Sequence, residues 1–202
     1  MRCEISLTRL RHVCTVAPAE RLAAVLPHLQ AACALYGIDN PRRVRHFLAQ
    51  LAHESGEFRY LRELMSGHAY EGRADLGNSE PGDGPRFKGW GWMQTTGRKN
   101  TQIVSEALYG DDRLVRDPTL IDPPSLDLAA RAAGHFWTVG AGLNLSKRAI
   151  AAGVPVGVNL NDLADKNDAE LITLAVNGGT NGLAARYAYL GRGIEAFPTE
   201  TV

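Results

Sequence analysis

The sequence has no long hydrophobic run, no excess of charge of either sign, and few cysteines. Nothing in its 202 residues approaches the ~18 consecutive apolar residues of a membrane-spanning helix, so stable membrane insertion is not expected. The first six residues, Met1 to Ser6, hold no apolar stretch of the length a signal peptide needs. The expectation is a protein made in the cytoplasm, released to any outside target by other means. With 22 Lys and Arg against 22 Asp and Glu, no basic face is offered, so nucleic acid is excluded as the main partner. Cys3, Cys14 and Cys33 are odd in number and lack CxxC spacing. They read as three free thiols in a reducing compartment, with a metal site of Cys3, His12 and Cys14 as the weaker alternative. No cofactor or metal is expected, and the chain is expected to be a monomer.

What is present is an ordinary apolar fraction of 45%, enough to bury a core in one domain spanning 1–202, or in two lobes sharing one core. The first third reads as helices. Residues 18–36 place Leu22, Val25, Leu26, Leu29, Cys33 and Tyr36 on a helical stripe. Pro27 lies inside it, where a kink or split is expected. Asn40 and Pro41 open a second helix as cap and first residue. There Val44, Phe47, Leu48, Leu51 and Ala52 share a face, and Gly56 is the expected stop. Arg42, Arg43 and Arg45 at its start read as a solvated basic patch or as a polymer-binding one.

Residues 66–97 hold eight glycines and read as a long loop. Loops of this length in compact domains are functional or disordered. Tyr70, Phe87, Trp90 and Trp92 favour an ordered one in which flat rings meet sugar faces. Helical signals then return: Ser125 caps a segment through Trp137, Asp168 one through Val176 with Gly178 beyond, and Asn181 one through Leu190. Residues 139–167 read as loop with at most one short helix.

Four carboxylates cluster in sequence: Glu54, Glu57, Glu63 and Glu71. Inverting glycoside hydrolysis needs two, an acid that protonates the leaving oxygen and a base that activates water on the opposite face. Glu54 lies at the edge of the apolar stripe and at a helix end, where desolvation and the dipole both disfavour the charged form, as a general acid requires. The plain alternative is a surface residue ending a helix. Glu63, past the Gly56 turn, is either a base across a cleft or a salt-bridge partner of Arg59 or Arg62. Glu57 is one turn from Glu54 and on the same wall, and Glu71 is placed to pair with Arg73.

The run from Phe47 through His53-Glu54-Ser55-Gly56 resembles a signature of the glycoside hydrolase family 19 chitinases and their phage endolysin relatives. So do Tyr70-Glu71-Gly72-Arg73, Leu76-Gly77-Asn78, Gly82-Asp83-Gly84, the run Phe87 to Asn100, and Asn177-Gly178-Gly179 followed by Arg186. The resemblance covers about residues 6–196, in order and spacing. It implies a mainly α, lysozyme-like fold of two helical lobes flanking a substrate cleft. It implies Glu54 as general acid, Glu63 as general base, and Thr96 as a hydroxyl that helps hold the attacking water. Gln94, Asn100, Asn177 and Arg186 match polar residues lining the cleft, and His53, Tyr70 and Trp90 are further candidate substrate contacts. Amides suit N-acetyl and hydroxyl groups, and Arg186 suits a carboxylate. Two departures stand out. Trp90 occupies the middle of a usual Gly-Arg-Gly, which removes a possible partner for the cleft carboxylates. Glu57 stands where a second glycine is common.

Three functions compete. The first is an endolysin hydrolysing β-1,4 bonds of peptidoglycan glycan strands, reaching the wall after holin-like release. The second is a chitinase acting on N-acetylglucosamine polymers or oligomers. The third is a catalytically silent sugar-binding module, against which both Glu54 and Glu63 speak. A lytic transglycosylase needs one carboxylate only, so Glu63 argues for hydrolysis. Zero net charge is low for a lysin of an anionic wall, with Lys88 and the Arg-rich helix start as local positive potential.

Overall fold

The computed structural model describes residues 3–143 and 145–199. Helices dominate, as the sequence led one to expect. Among the described residues they are α1 Leu7–Val13, α2 Ala19–Leu35, α3 Pro41–Glu54, α4 Asp83–Arg86, α5 Arg98–Tyr109 and α6 Arg113–Arg116, then α7 Leu126–His135, α8 Ala141–Leu143, α9 Lys147–Ala151, α10 Leu160–Asp165, α11 Ala169–Asn177 and α12 Leu183–Ala196. None is long and apolar enough to cross a membrane. The chain forms two compact units, one of residues 1–58 with 134–202 and one of residues 59–133.

The first unit is built on α3, against which α10, α11 and α12 pack. Asn40 Oδ1 accepts the Arg43 N–H at 2.9 Å and Pro41 takes the first helical position, so the start is as read. Val44, Phe47, Leu48 and Leu51 are fully buried, each worth about 1.5–3 kcal/mol over exposure. Phe47 meets Trp137 edge to face at 5.2 Å. After Glu54, the Ser55 hydroxyl donates to the Leu51 carbonyl and accepts the Phe58 N–H, turning the chain out of the helix. The α2 helix runs unbroken through Pro27, because tertiary packing outweighs one lost hydrogen bond.

The arginine patch is not solvated as a whole, which corrects the sequence reading. Arg43 binds Asp165 through two nitrogens and donates to the Gly37 carbonyl. Arg42 donates to the Asp165 carbonyl, and Arg45 is buried beside Asn167. They fasten α3 to the end of α10, so the positive groups at this helix start find partners within the unit.

Residues 139–167 also differ from expectation. A π-helical turn, Phe136–Gly140, continues α7, and α8, α9 and α10 follow. Helices this short show no periodicity, and side-chain caps make them: Ser146 Oγ accepts the Ala149 N–H and Asn159 Oδ1 the Asn161 N–H. The last helix begins after Gly182 without a side-chain cap and runs to Ala196, beyond the expected end at Leu190. Gly191 and Gly193 do not stop it, since burial against α3 and α1 overrides propensity. Ser125 and Asp168 cap as expected. The sequence reading assigned nothing to 98–124, where α5 and α6 lie.

The second unit packs Phe87, Trp90, Val104, Leu114, Ile121, Leu128 and Ala132 into one core. Its first half is irregular, as the glycines foretold. The 66–97 segment holds only the 3-10 turns His68–Tyr70 and Ala74–Leu76 and the short α4. Isolated antiparallel bridges join Arg62 to Trp90 and Trp90 to Thr95.

Candidate active site

In the first unit Glu54 is the last residue of α3, and Arg186 of α12 pairs with its Oε1. A second guanidinium nitrogen donates to Gln50 Oε1, one turn earlier on α3. The Gln50 amide reaches Thr173 Oγ1 at 3.5 Å, and the Thr173 hydroxyl donates to the Ala169 carbonyl. Arg186, Gln50 and Thr173 are buried, whereas the Glu54 side chain keeps 22% of its surface. A guanidinium is tolerated inside a protein only when opposite charge and acceptors meet it, and Glu54 with Gln50 supply both.

His53 stands beside this group. Its ring lies so close to Gly182 that a β-carbon there would come within 2.4 Å of Nε2, and Gly182 has φ +72°. Burial, then the Arg186 charge, push the His53 imidazole below its ordinary value, against the pull of Glu54. It therefore stands neutral near pH 7, as a wall with hydrogen-bonding capacity. Asn177, exposed at the end of α11, donates to the Asn181 carbonyl at 3.2 Å.

Glu57 has another task. It is buried, and its Oε2 accepts the N–H groups of Val16 and Ala17 at 2.6 and 2.8 Å while Tyr189 donates to Oε1. It ties the α1–α2 connection and α12 to the turn after α3.

In the second unit Glu63 is half-buried. Tyr70 donates its hydroxyl to Oε1 at 3.0 Å, and the Gly89 N–H donates to Oε2 at 3.0 Å. Both partners are donors, so Glu63 serves them as a carboxylate. A β-carbon on Gly89 would lie 2.6 Å from Gln94 Oε1 and 3.2 Å from Glu63 Oε2, so a larger residue there would displace the Gln94 amide beside the Glu63 carboxylate. Burial, then the hydrogen bond and charge of Glu63, push the Tyr70 phenol above its ordinary value, and it stays a donor. Gln94 donates to the Gly91 carbonyl, Thr96 to the Gln94 carbonyl, and Asn100 to the Thr96 carbonyl. With its hydrogen so used, Thr96 Oγ1 still has lone pairs to accept from a water.

Three sequence expectations are corrected here. Trp90 is not a sugar platform: it is fully buried in the core of its unit and donates to Thr101 Oγ1 at 3.0 Å. Trp92 is fully buried too. The side chain at 90 points into the core, so its being Trp takes no partner from a surface carboxylate. Glu71 does not pair with Arg73: its oxygens accept the N–H groups of Gly82 and Gly84, and Arg73 pairs with Asp75. Arg62 pairs with Asp122 and donates to the carbonyls of Arg86 and Lys88. Cys3, Cys14 and Cys33 are free thiols, and His12 pairs with Glu195.

No family model matches the chain. A curated protein of Haemophilus influenzae, a glycosyl hydrolase family 19 domain-containing protein, is 25% identical over 185 residues, covering 74% of this chain and 78% of that protein. A solved bacterial family 19 chitinase aligns over 97% of this chain and 96% of its own, with TM-score 0.73 at 16% identity. Chitinase C of Streptomyces griseus aligns over 96% of this chain and 77% of its own, with TM-score 0.71 at 15% identity. The chain is similar in sequence to a family 19 glycosyl hydrolase and shares the fold of solved family 19 chitinases.

The sequence reading missed two groups. Gln50 lies four residues before Glu54, a polar residue on the buried side of α3, and that position was its only signal. Asp83 is wholly buried and accepts from Ser79, Glu80 and Arg98, clasping the glycine-rich loop to the start of α5. Burial pushes its carboxyl up, but the hydrogen bonds from Arg98 and the loop amides outweigh it, and the carboxyl ends below its ordinary value.

Proposed function

We propose that this hydrolase cleaves β-1,4 bonds of a polymer of N-acetylated amino sugars with inversion, using Glu54 as general acid and Glu63 as general base. Glu54 gives its proton to the leaving glycosidic oxygen as the C1–O bond breaks. Glu63 takes a proton from the water whose oxygen bonds to C1 from the opposite face. Because Oε1 of Glu54 faces Arg186, the transferred proton belongs on Oε2. Thr96 accepts from the attacking water; Gln94, Asn100, Asn177 and His53 bind hydroxyl and N-acetyl groups. The observation that carries the assignment is elimination. Of the four carboxylates, Glu57 is spent inside its unit and Glu71 on closing the 82–84 turn. Glu54 and Glu63 are left, Glu54 held at one oxygen by Arg186 and Glu63 at both oxygens by Tyr70 and the Gly89 amide, each partly exposed and with lone pairs to spare.

For the polymer we propose peptidoglycan glycan strands, met at the cell wall after holin-like release. Muramic acid carries a lactyl ether and a peptide, which need open, polar surroundings. The surroundings of Glu63 are hydrogen-bonding groups, Tyr70, Gln94 and the Gly89 amide, and the large rings of Phe87, Trp90 and Trp92 are buried. Chitin is the second reading, favoured by the solved neighbours, which are chitinases.

The test is kinetics on purified peptidoglycan and on chitin oligomers at matched reducing-end concentration, with the wild type, Glu54→Gln and Glu63→Gln. Each substitution is expected to lower turnover about 10²–10⁴-fold, Glu63→Gln with the melting temperature kept and Glu54→Gln with a lowered one, because it leaves the buried Arg186 without its opposite charge. A variant holding more than about a tenth of the rate overturns the role given to that residue. Turnover of chitin without release from peptidoglycan promotes the second reading.

A further inference from the structure

Tyr70 was a candidate substrate contact, but its hydroxyl is turned to Glu63 Oε1. We infer that Tyr70 is a positioning residue: with the Gly89 amide it forms a two-donor clamp that holds the Glu63 carboxylate in the orientation the attacking water requires. The inference rests on the reading of Glu63 as the general base.

The clamp is built for rigidity from two sides. On the Tyr70 side, the backbone carbonyl of Tyr70 accepts the Asn78 side-chain amide at 2.8 Å, and Asn78 Oδ1 accepts the Arg98 N–H at 2.9 Å. Asn78 is buried, so these bonds hold without competition from water. The next residue, Glu71, binds the Gly82 and Gly84 amides at 2.6 and 2.8 Å. The backbone that carries Tyr70 is thus fastened through its own carbonyl and through its neighbour. On the other side, the Gly89 carbonyl accepts the Glu63 N–H at 2.8 Å while the Gly89 N–H binds Glu63 Oε2. The same residue thereby fixes both backbone and side chain of Glu63. A carboxylate fixed at both oxygens loses little freedom when the water arrives, and that pre-paid order is what positioning contributes to a rate. Tyr70 spends its one hydroxyl hydrogen on Glu63, which leaves it only acceptor capacity for a sugar.

A residue that acts through Glu63 must lose its effect once Glu63 is gone. Glu63→Ala supplied with azide, which replaces the water and needs no base, gives the background for that comparison. Four rates are measured on the polymer the enzyme hydrolyses: wild type, Tyr70→Phe, azide-rescued Glu63→Ala, and the azide-rescued double variant. Tyr70→Phe is expected to lower kcat roughly tenfold with KM within about twofold, since the interaction lost belongs to the transition state. The two azide-rescued rates are expected to agree within about twofold. Two outcomes overturn the inference while leaving Glu63 as base: a raised KM with kcat kept, which marks a sugar contact, or the same loss persisting in the Glu63→Ala background. If Glu63→Ala without azide keeps more than about a tenth of the turnover, the base assignment itself falls. Carbon-13 NMR of the Glu63 carboxyl gives a second readout that needs no turnover. Its signal is expected to move in Tyr70→Phe while the other glutamate signals hold, and an unmoved signal contradicts the clamp.

Discussion

In the unit of residues 1–58 and 134–202, Glu54 rides the end of a long helix, and its partner Arg186 comes from another long helix. The pairing is charge against charge, with Gln50 accepting from a second guanidinium nitrogen and Thr173 meeting the Gln50 amide behind it. In the unit of residues 59–133, Glu63 sits on irregular backbone and is held by neutral donors, a phenol and a main-chain amide. One carboxylate is placed by the register of helices, the other by turns that bring amides to bear. The first arrangement tolerates change in loops and fails when a buried side chain is lost. The second depends on the clasps that give the loop its shape: Asp83 with Arg98, Glu71 with Gly82 and Gly84, and Asn78 with Tyr70.

The largest expected effect concerns the core under that loop. Trp90→Ala is expected to cost about 3–5 kcal/mol of stability by denaturant unfolding, because a fully buried ring and its bond to Thr101 are removed. Trp90→Arg should be as damaging, since it buries a charge without a partner. A variant with unchanged stability but a raised KM would return Trp90 to the sugar-binding surface.

Next comes a comparison of the two acidic clasps. Asp83 is wholly buried against Arg98, whereas 37% of the Asp165 side chain is exposed beside Arg43. Asp83→Asn is expected to cost about 2–4 kcal/mol and Asp165→Asn about 1 kcal/mol or less, because water screens the outer pair. Both carboxyls lie below their ordinary value near 3.8, Asp165 through its hydrogen bond from Arg43 against burial. A depressed carboxyl contributes stability above the ordinary value and loses it as pH falls through the folded value. Acid unfolding of the wild type should therefore steepen below about pH 4, and Asp83→Asn should flatten that slope more than Asp165→Asn. Equal slopes would remove the distinction between the units.

The smallest effect belongs to the α3 start. Asn40→Ala removes a helix cap and is expected to cost about 1 kcal/mol. Turnover should be nearly unchanged, since Glu54 lies at the far end of the helix. A large fall in turnover would mean that the register of Glu54 depends on this cap.

Much of the helical frame was legible. The apolar spacing of 44–52 and the caps at Asn40, Ser125 and Asp168 gave α3, α7 and α11 close to their observed bounds. Helices of three to six residues between 141 and 165 were not legible, because they are too short to show a period and rest on local caps. Glu54 and Arg186 could be named from their motifs, but the buried bridge through Gln50 could not be seen, since it joins positions 136 apart in the chain. In the loop, glycine content announced irregular backbone without saying which carboxylate would meet which amide. Trp90 misled for a related reason: an aromatic among glycines looks like a surface platform, and only the fold of unit 59–133 turns it inward.

The central claim is that this hydrolase works by direct attack of water with Glu54 and Glu63 as acid and base. Proton NMR of the first products from a soluble oligomer, recorded before mutarotation, tests it most directly. Inversion at a β-linked sugar predicts the α-anomer as the first reducing end formed. The β-anomer, or a 1,6-anhydro end, would contradict the account and take the role of base away from Glu63.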